Sequence, residues 1–250
     1  MGNLDNKEKE FALALEKLTK VAREGGNVVS EDQIREAFSE FELSDTQFDQ
    51  IVDYLKKKNV GIGEPVDPDE YLTDEEKDYL NDYIESIQNI GDVTDNEKEG
   101  ITIAAMSGDI NARKQLVEVY LKLVPDIAKM YAEQGVYLED LIGEGNEALL
   151  KAVNMLDIIE EPSEADEFVG KLIMDAMEEA VSDSLDEDAR EQKAVKQVQE
   201  VADKAKELSE SLRRKCTVEE LIQETGWEEE KILEAIRMSG NKIEDIEFEG

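Results

Sequence analysis

The 250-residue chain contains no histidine and a single cysteine, Cys216. Without imidazole it cannot assemble a Ser-His-Asp triad, a histidine general base or an ordinary zinc centre. One thiol makes neither a disulfide nor a Cys-x-x-Cys pair, which fits a reducing compartment. Carboxylates are abundant, 64 Asp and Glu in all, but none stands with a nucleophile, a metal motif or a glycine-rich phosphate loop. The stretch from Asp95 comes nearest to a calcium loop. Gly100 is its position-six glycine, but Met106 stands where the closing acid belongs, so GDVTDNEKEG is read as a solvated loop. No enzymatic activity, cofactor or metal is predicted.

The remaining chemistry is recognition. Asp140, Glu144 and Lys151 are spaced to project from one helix, held rigid by Leu141, Leu149 and Val153. Acids presented from a rigid helix suit an arginine-rich protein surface. The alternative is structural: Asp140 as a helix N-cap and Glu144 as a first-turn acid favoured by the dipole.

The elements that would position these residues are helical throughout. Phe11, Leu15, Leu18 and Val21 form a stripe that Gly25-Gly26 ends. Ser30 with Gln33, and Ser44, cap two further short helices. Together they predict a three-helix module over residues 1–63. EPVDPDE then reads as a linker (64–72), and Thr73 caps the next helix. Apolar density is greatest from Ile101 to Met155. One face there comprises Leu116, Val119, Leu123, Ile127 and Met130, another Leu141, Ile142, Leu149, Leu150 and Val153. Pro125 predicts a kink or break. A helical domain over 73–190 and another over 191–250 follow. The second begins with a charged helix around 190–213. It ends on a helix-turn-helix spacing in which Thr217 caps, Gly226 turns and Ile232, Leu233 and Ile236 face a partner helix. Trp227 is expected to pack against Leu221 and Ile236. The fold class is all-α, small helical bundles in series.

Charge narrows the partners. Against the 64 acids stand 28 bases, a net −36 spread along the chain. From Asp157 to Glu191 fourteen acids face only Lys171 and Arg190, while Phe168, Leu172, Ile173, Ala176, Met177 and Ala180 keep a helical stripe. Such a field repels nucleic acid phosphates and attracts basic partners. Acidity serving only solubility is the plainer reading. No signal peptide and no 18-residue apolar run occurs, which predicts a cytoplasmic protein without membrane contact.

The run DLIGEGNEALLKAV, Asp140 to Val153, resembles the core-binding motif of sigma-70-family sigma factors, D-L-I-Q-E-G-N-x-G-L-x-K-A-V. The preceding GDINARKQLVEVYLKLVPDIAKMY resembles that family's G-D-x-x-A-R-x-x-L-I-x-x-N-L-R-L-V-x-x-I-A-x-x-Y. The order of parts also agrees: residues 1–63 resemble region 1.1, residues from about Asp67 region 1.2, 102–190 region 2, and 191–248 region 3. The resemblance implies a transcription initiation factor whose partner is core RNA polymerase. In the family this helix docks on the coiled coil of the β′ subunit through Asp, Gln, Glu and Asn positions. Asp140, Glu144 and Asn146 match, and Gly143 replaces the Gln. The implied polymerase-binding set is Asp140, Leu141, Glu144, Asn146 and Lys151.

Downstream the pattern departs from the family. Where region 2 carries Y-R-R-G-x-x-F-S-T-Y-A-x-W-W-I-R-x-A-I, aromatics that stack flipped bases beside basic residues, this chain has IIEEPSEADEFVGKLIMDAMEEAVSDS. Phe168 is its only aromatic, and Asp175, Glu178 and Glu179 occupy the face of the expected cations. Glu228-Glu229-Glu230 likewise opens the last helix with acids. The family's region 4 would follow region 3, and the sequence ends at Gly250. Promoter DNA is thus expected only within a holoenzyme, with weakened reading. Two alternatives remain open: an acidic DNA-mimic or sigma-competitor regulator of the polymerase, and an acidic helical scaffold without polymerase contact.

Overall fold

The computed structural model describes residues 2–41 and 43–247. It is all-α, apart from one pair of two-residue strands, and divides into compact units Met1–Ser182 and Asp183–Gly250. Among the described residues no helix is long and apolar enough to cross a membrane.

The first unit begins with α1 (Gly2–Glu24), α2 (Glu31–Ala37) and α3 (Asp45–Lys57). Ser30 and Ser44 both form full capping boxes, with Gln33 and Gln47 returning the bond to the cap backbone. Leu18, Ala22, Ile34, Phe38, Ile51 and Leu55 bury together, and Phe11, Phe38 and Phe41 stack around them. Val21 was expected in the α1 stripe and instead faces outward, because Leu18 and Ala22, four apart, define the buried row. Unexpectedly, β1 (Val28–Val29) pairs in parallel with β2 (Gly61–Ile62) and ties the end of α1 to the end of α3. Gly61 is required there, since a Cβ would stand 2.2 Å from the Glu64 carbonyl oxygen.

The stretch 64–72 is laid against the protein. Asp67 caps a 3₁₀ turn (Pro68–Tyr71), Leu72 is buried, and Lys129 pairs with Asp69 at 2.9 Å. Next come α4 (Asp74–Ile87), α5 (Asp95–Met106), α6 (Ile110–Tyr120), α7 (Leu123–Lys129), α8 (Leu138–Asn154) and α9 (Ala165–Leu212). The solvated loop expected over GDVTDNEKEG is corrected. Its second half is the first turn and a half of α5, started by a capping box between Thr94 and Glu97. The break near Pro125 falls just before it, between α6 and α7, leaving the proline in the first turn of α7 where its missing N–H costs nothing. Leu116, Val124, Tyr131, Leu141, Leu149, Ile173 and Met177 form the largest core. Phe168, Leu172, Ala176 and Ala180 pack against it, as their spacing predicts.

Polar contacts join the N-terminal bundle to this core. Arg23, 4% exposed, lies over the Tyr131 ring at 3.9 Å and donates to the carbonyls of Met130 (2.9 Å) and Lys58 (3.1 Å). Its Nε lies 3.6 Å from the Glu178 carboxylate. Buried Asn59 donates to the Ala132 carbonyl, and Lys20 pairs with Asp175 at 2.6 Å.

In the second unit, α10 (Val218–Thr225) and α11 (Glu229–Met238) meet at Gly226, whose φ of 70° makes the left-handed turn. Their core with α9 contains Val201, Ala205, Cys216, Leu221, Ile232 and Ile236, and Trp227 packs against it under the Lys231 ammonium. The charged helix expected to start near 190 has no separate beginning. It is the C-terminal part of the 48-residue α9.

Candidate functional site

Helix α8 begins at Leu138, with Tyr137 at its cap, and Asp140 is its third residue. Asp140 is therefore not the N-cap; its acidity still complements the positive end of the helix dipole. Along an α-helix, residues at i, i+4, i+7 and i+11 form one line. That line carries Asp140, Glu144, Glu147 and Lys151, all exposed. Lys151 pairs with Glu147 at 2.8 Å, and the contact raises the lysine pKa and lowers the glutamate's. Among the described residues, Asp140 and Glu144 have no side-chain hydrogen bond or ion pair. Two carboxylates are thus held out to solvent without a direct ion pair, beside a satisfied pair whose Lys151 reaches Glu144 only through its longer-range field.

The line is rigid because the opposite side of α8 is deep in the core. Leu141, Ile142, Leu149, Ala152 and Val153 are all buried. Leu141, implied as a contact residue, is fully enclosed and holds the helix in place. Gly145 permits a close approach in this packing, for a Cβ there would meet Met177 Cε at 2.4 Å and Val124 Cγ1 at 2.8 Å. Gly143, two residues earlier, faces open space. Leu150, read as part of the buried face, is 51% exposed and points the other way.

Asn146 lies apart from the acidic line, on the flank next to α4. Tyr83 donates its hydroxyl to Asn146 Oδ1 at 2.9 Å. The site therefore brings together Asp140, Glu144 and Lys151 on one row, leaves Asn146 on a separate flank next to α4, and encloses Leu141. Four further residues bear on this surface: Glu147, Leu150, Tyr83 and Tyr137, the last 74% exposed at the head of the helix. The i, i+4 spacing of Glu147 and Lys151 could have identified the first. Nothing local points to Tyr83, 63 residues distant from its partner.

The acidic face of α9 is partly engaged from within. Lys20 holds Asp175, and Arg23 approaches Glu178. Burial pushes the Glu178 carboxyl pKa up, with Arg23 and Lys20 opposing it. Burial likewise raises the Tyr131 phenol and lowers the Arg23 guanidinium. Phe168, the sole aromatic of α9, is packed on the core. Glu179 stays exposed.

No protein-family model matches the chain. Similarity to individual proteins is nonetheless clear. The RNA polymerase sigma factor SigA of Clostridium acetobutylicum is 31% identical over 137 residues, spanning 50% of this chain and 36% of that protein. The SigA proteins of Listeria monocytogenes and Listeria innocua are each 30% identical over 138 residues, 47% of this chain and 37% of theirs. The match thus spans little more than a third of these relatives' length. Over about half of its own length the chain is related to the sigma-70 family of RNA polymerase sigma factors.

Proposed function

We propose that this protein is a sigma-like factor that binds core RNA polymerase through the outer row of α8 and reads promoters weakly or not at all. The observation that carries the reading is the pair of exposed carboxylates, Asp140 and Glu144, with no hydrogen bond or direct ion pair among the described residues, on a helix whose other side is locked in the core. Carboxylates fixed in this way lose little entropy on pairing with arginines, and charge-assisted bonds are the stronger kind. Leu150 beside the row supplies apolar area of the kind found within a polar rim. The implied partner surface is the coiled coil of the β′ subunit. Binding places the protein in the cytoplasm, and its role there is regulatory rather than enzymatic.

A second reading differs only in what happens to DNA. With Phe168 packed away and fourteen acids between Asp157 and Glu191, α9 offers no exposed aromatic for base stacking and a field that repels phosphate. This favours a regulator that competes with a promoter-reading sigma factor for the same polymerase surface.

One experiment tests the shared part. The full chain is titrated against core RNA polymerase, with Asp140 and Glu144 intact or both replaced by alanine. Two charge-assisted contacts at about 1.5 kcal/mol or more each predict at least about a 100-fold loss in the double variant, with helicity retained. Unchanged affinity would refute the docking assignment. A promoter mobility shift with the resulting complex then separates initiation from competition.

A further inference from the structure

Resting on that docking reading, we propose that Tyr83 of α4 is a positioning residue for it: its hydroxyl fixes the Asn146 amide so that α8 presents an NH2 donor to a carbonyl or carboxylate of the polymerase. Tyr83 donates to Asn146 Oδ1 at 2.9 Å. Burial holds the Tyr83 phenol above its usual pKa, against the opposing effect of the Asn146 bond, so it stays protonated at neutral pH. With Oδ1 engaged by the Tyr83 hydroxyl, Nδ2 is the free end of the amide. Among the described residues Nδ2 then has no hydrogen bond within the chain, and Asn146 is only half-buried, so this donor is open to a partner. The geometry joins two parts of the chain in one recognition surface. α4 supplies no contact of its own but sets which group α8 displays, a donor on the flank next to α4, separate from the row of Asp140 and Glu144. A partner reaching both must span two sides of α8, with cationic donors for the row and an acceptor oxygen for the flank.

The test measures affinity of the full chain for core RNA polymerase in five variants: Tyr83→Phe, Asn146→Ala, Asn146→Asp, Tyr83→Phe with Asn146→Ala, and Asp140→Ala with Glu144→Ala. Tyr83→Phe keeps the ring and removes only the hydroxyl, and is expected to weaken binding about three- to tenfold. Asn146→Asp still accepts from Tyr83 but cannot donate, and is expected to bind no better than Asn146→Ala. In the Tyr83→Phe background, Asn146→Ala is expected to add little, because the two residues act as one unit. A purely structural tyrosine would instead give additive losses that track melting temperature. Wild-type affinity in Tyr83→Phe, or additive losses, alongside loss of binding in the Asp140/Glu144 variant, would overturn this inference alone. Unchanged affinity in the Asp140/Glu144 variant would overturn the docking reading and the Tyr83 role with it.

Discussion

Two glycines on α8, separated by one residue, are predicted to respond to alanine with opposite signs. Each lies in a helix interior, where alanine is favoured over glycine by about 1 kcal/mol. At Gly143 nothing lies within 4 Å of the added methyl, so the gain should appear in full. For a unit of this size that is about 2–4 °C in melting temperature. At Gly145 the same methyl would stand 2.4 Å from Met177 Cε and 2.8 Å from Val124 Cγ1, where carbon contacts normally open to about 3.5–4.0 Å. The Met177 methyl ends a flexible chain but is fully buried, and Val124 is buried and stiff at χ1. Overpacking of this kind costs about 1–3 kcal/mol, enough to cancel the propensity gain and leave a net loss of about 1 kcal/mol. Thermal or urea melts of Gly143→Ala and Gly145→Ala followed by circular dichroism decide the matter. Equal stabilisation by both alanines would refute the account of how α8 is locked between α7 and α9.

Two further predictions concern charge. Replacing Arg23 by Met strips half-buried Glu178 of the nearer of its two cations and takes the guanidinium donor from the Met130 and Lys58 carbonyls, a loss of about 3 kcal/mol. Lysine should rescue only part, since it cannot supply the planar fork. The melting temperature and protease cleavage around residues 64–67 report the release of the N-terminal bundle; a melt unchanged by Arg23→Met would contradict the role given to this residue. The second concerns Glu220, whose carboxyl is drawn down to about 2 by Arg214 and by the Thr217 backbone N–H. Its folded pKa lies below its ordinary 4.5, so its stabilising share is present above that value and disappears as pH falls from 4.5 towards 2. Acid unfolding followed through Trp227 should separate the parent protein from Glu220→Gln at neutral pH and bring them together near pH 2. A constant gap across that window would contradict the assignment.

What was legible in the sequence was local. The capping pair Ser30 and Gln33 and the caps Ser44, Thr73 and Thr217 marked helix starts, and helical spacing marked the cores of all three clusters. The same rule applied to Thr94 and Glu97 would have turned the supposed loop at Asp95 into the start of α5. Leu150 was misassigned because α8 is apolar over more than half its girth. Only the packing of α7 and α9 decides which leucine stays outside. The strand pair at Val28 and Gly61, the burial of Arg23 and the Tyr83–Asn146 bond depend on residues 32 or more apart in the chain, and no local pattern encodes them. Of the proposed docking set, the exposed row was readable from spacing. The i, i+4 pairing of Lys151 with Glu147 was readable too, whereas the enclosure of Leu141 emerged only from the three-dimensional arrangement.

The most direct measurement of the central claim is equilibrium binding of the intact protein to core RNA polymerase, with a primary sigma factor titrated in as competitor. The account predicts binding that the primary sigma factor displaces and that fails when Asp140 and Glu144 are both alanine. Absence of binding at micromolar concentration, or binding that the primary sigma factor does not displace, would contradict it.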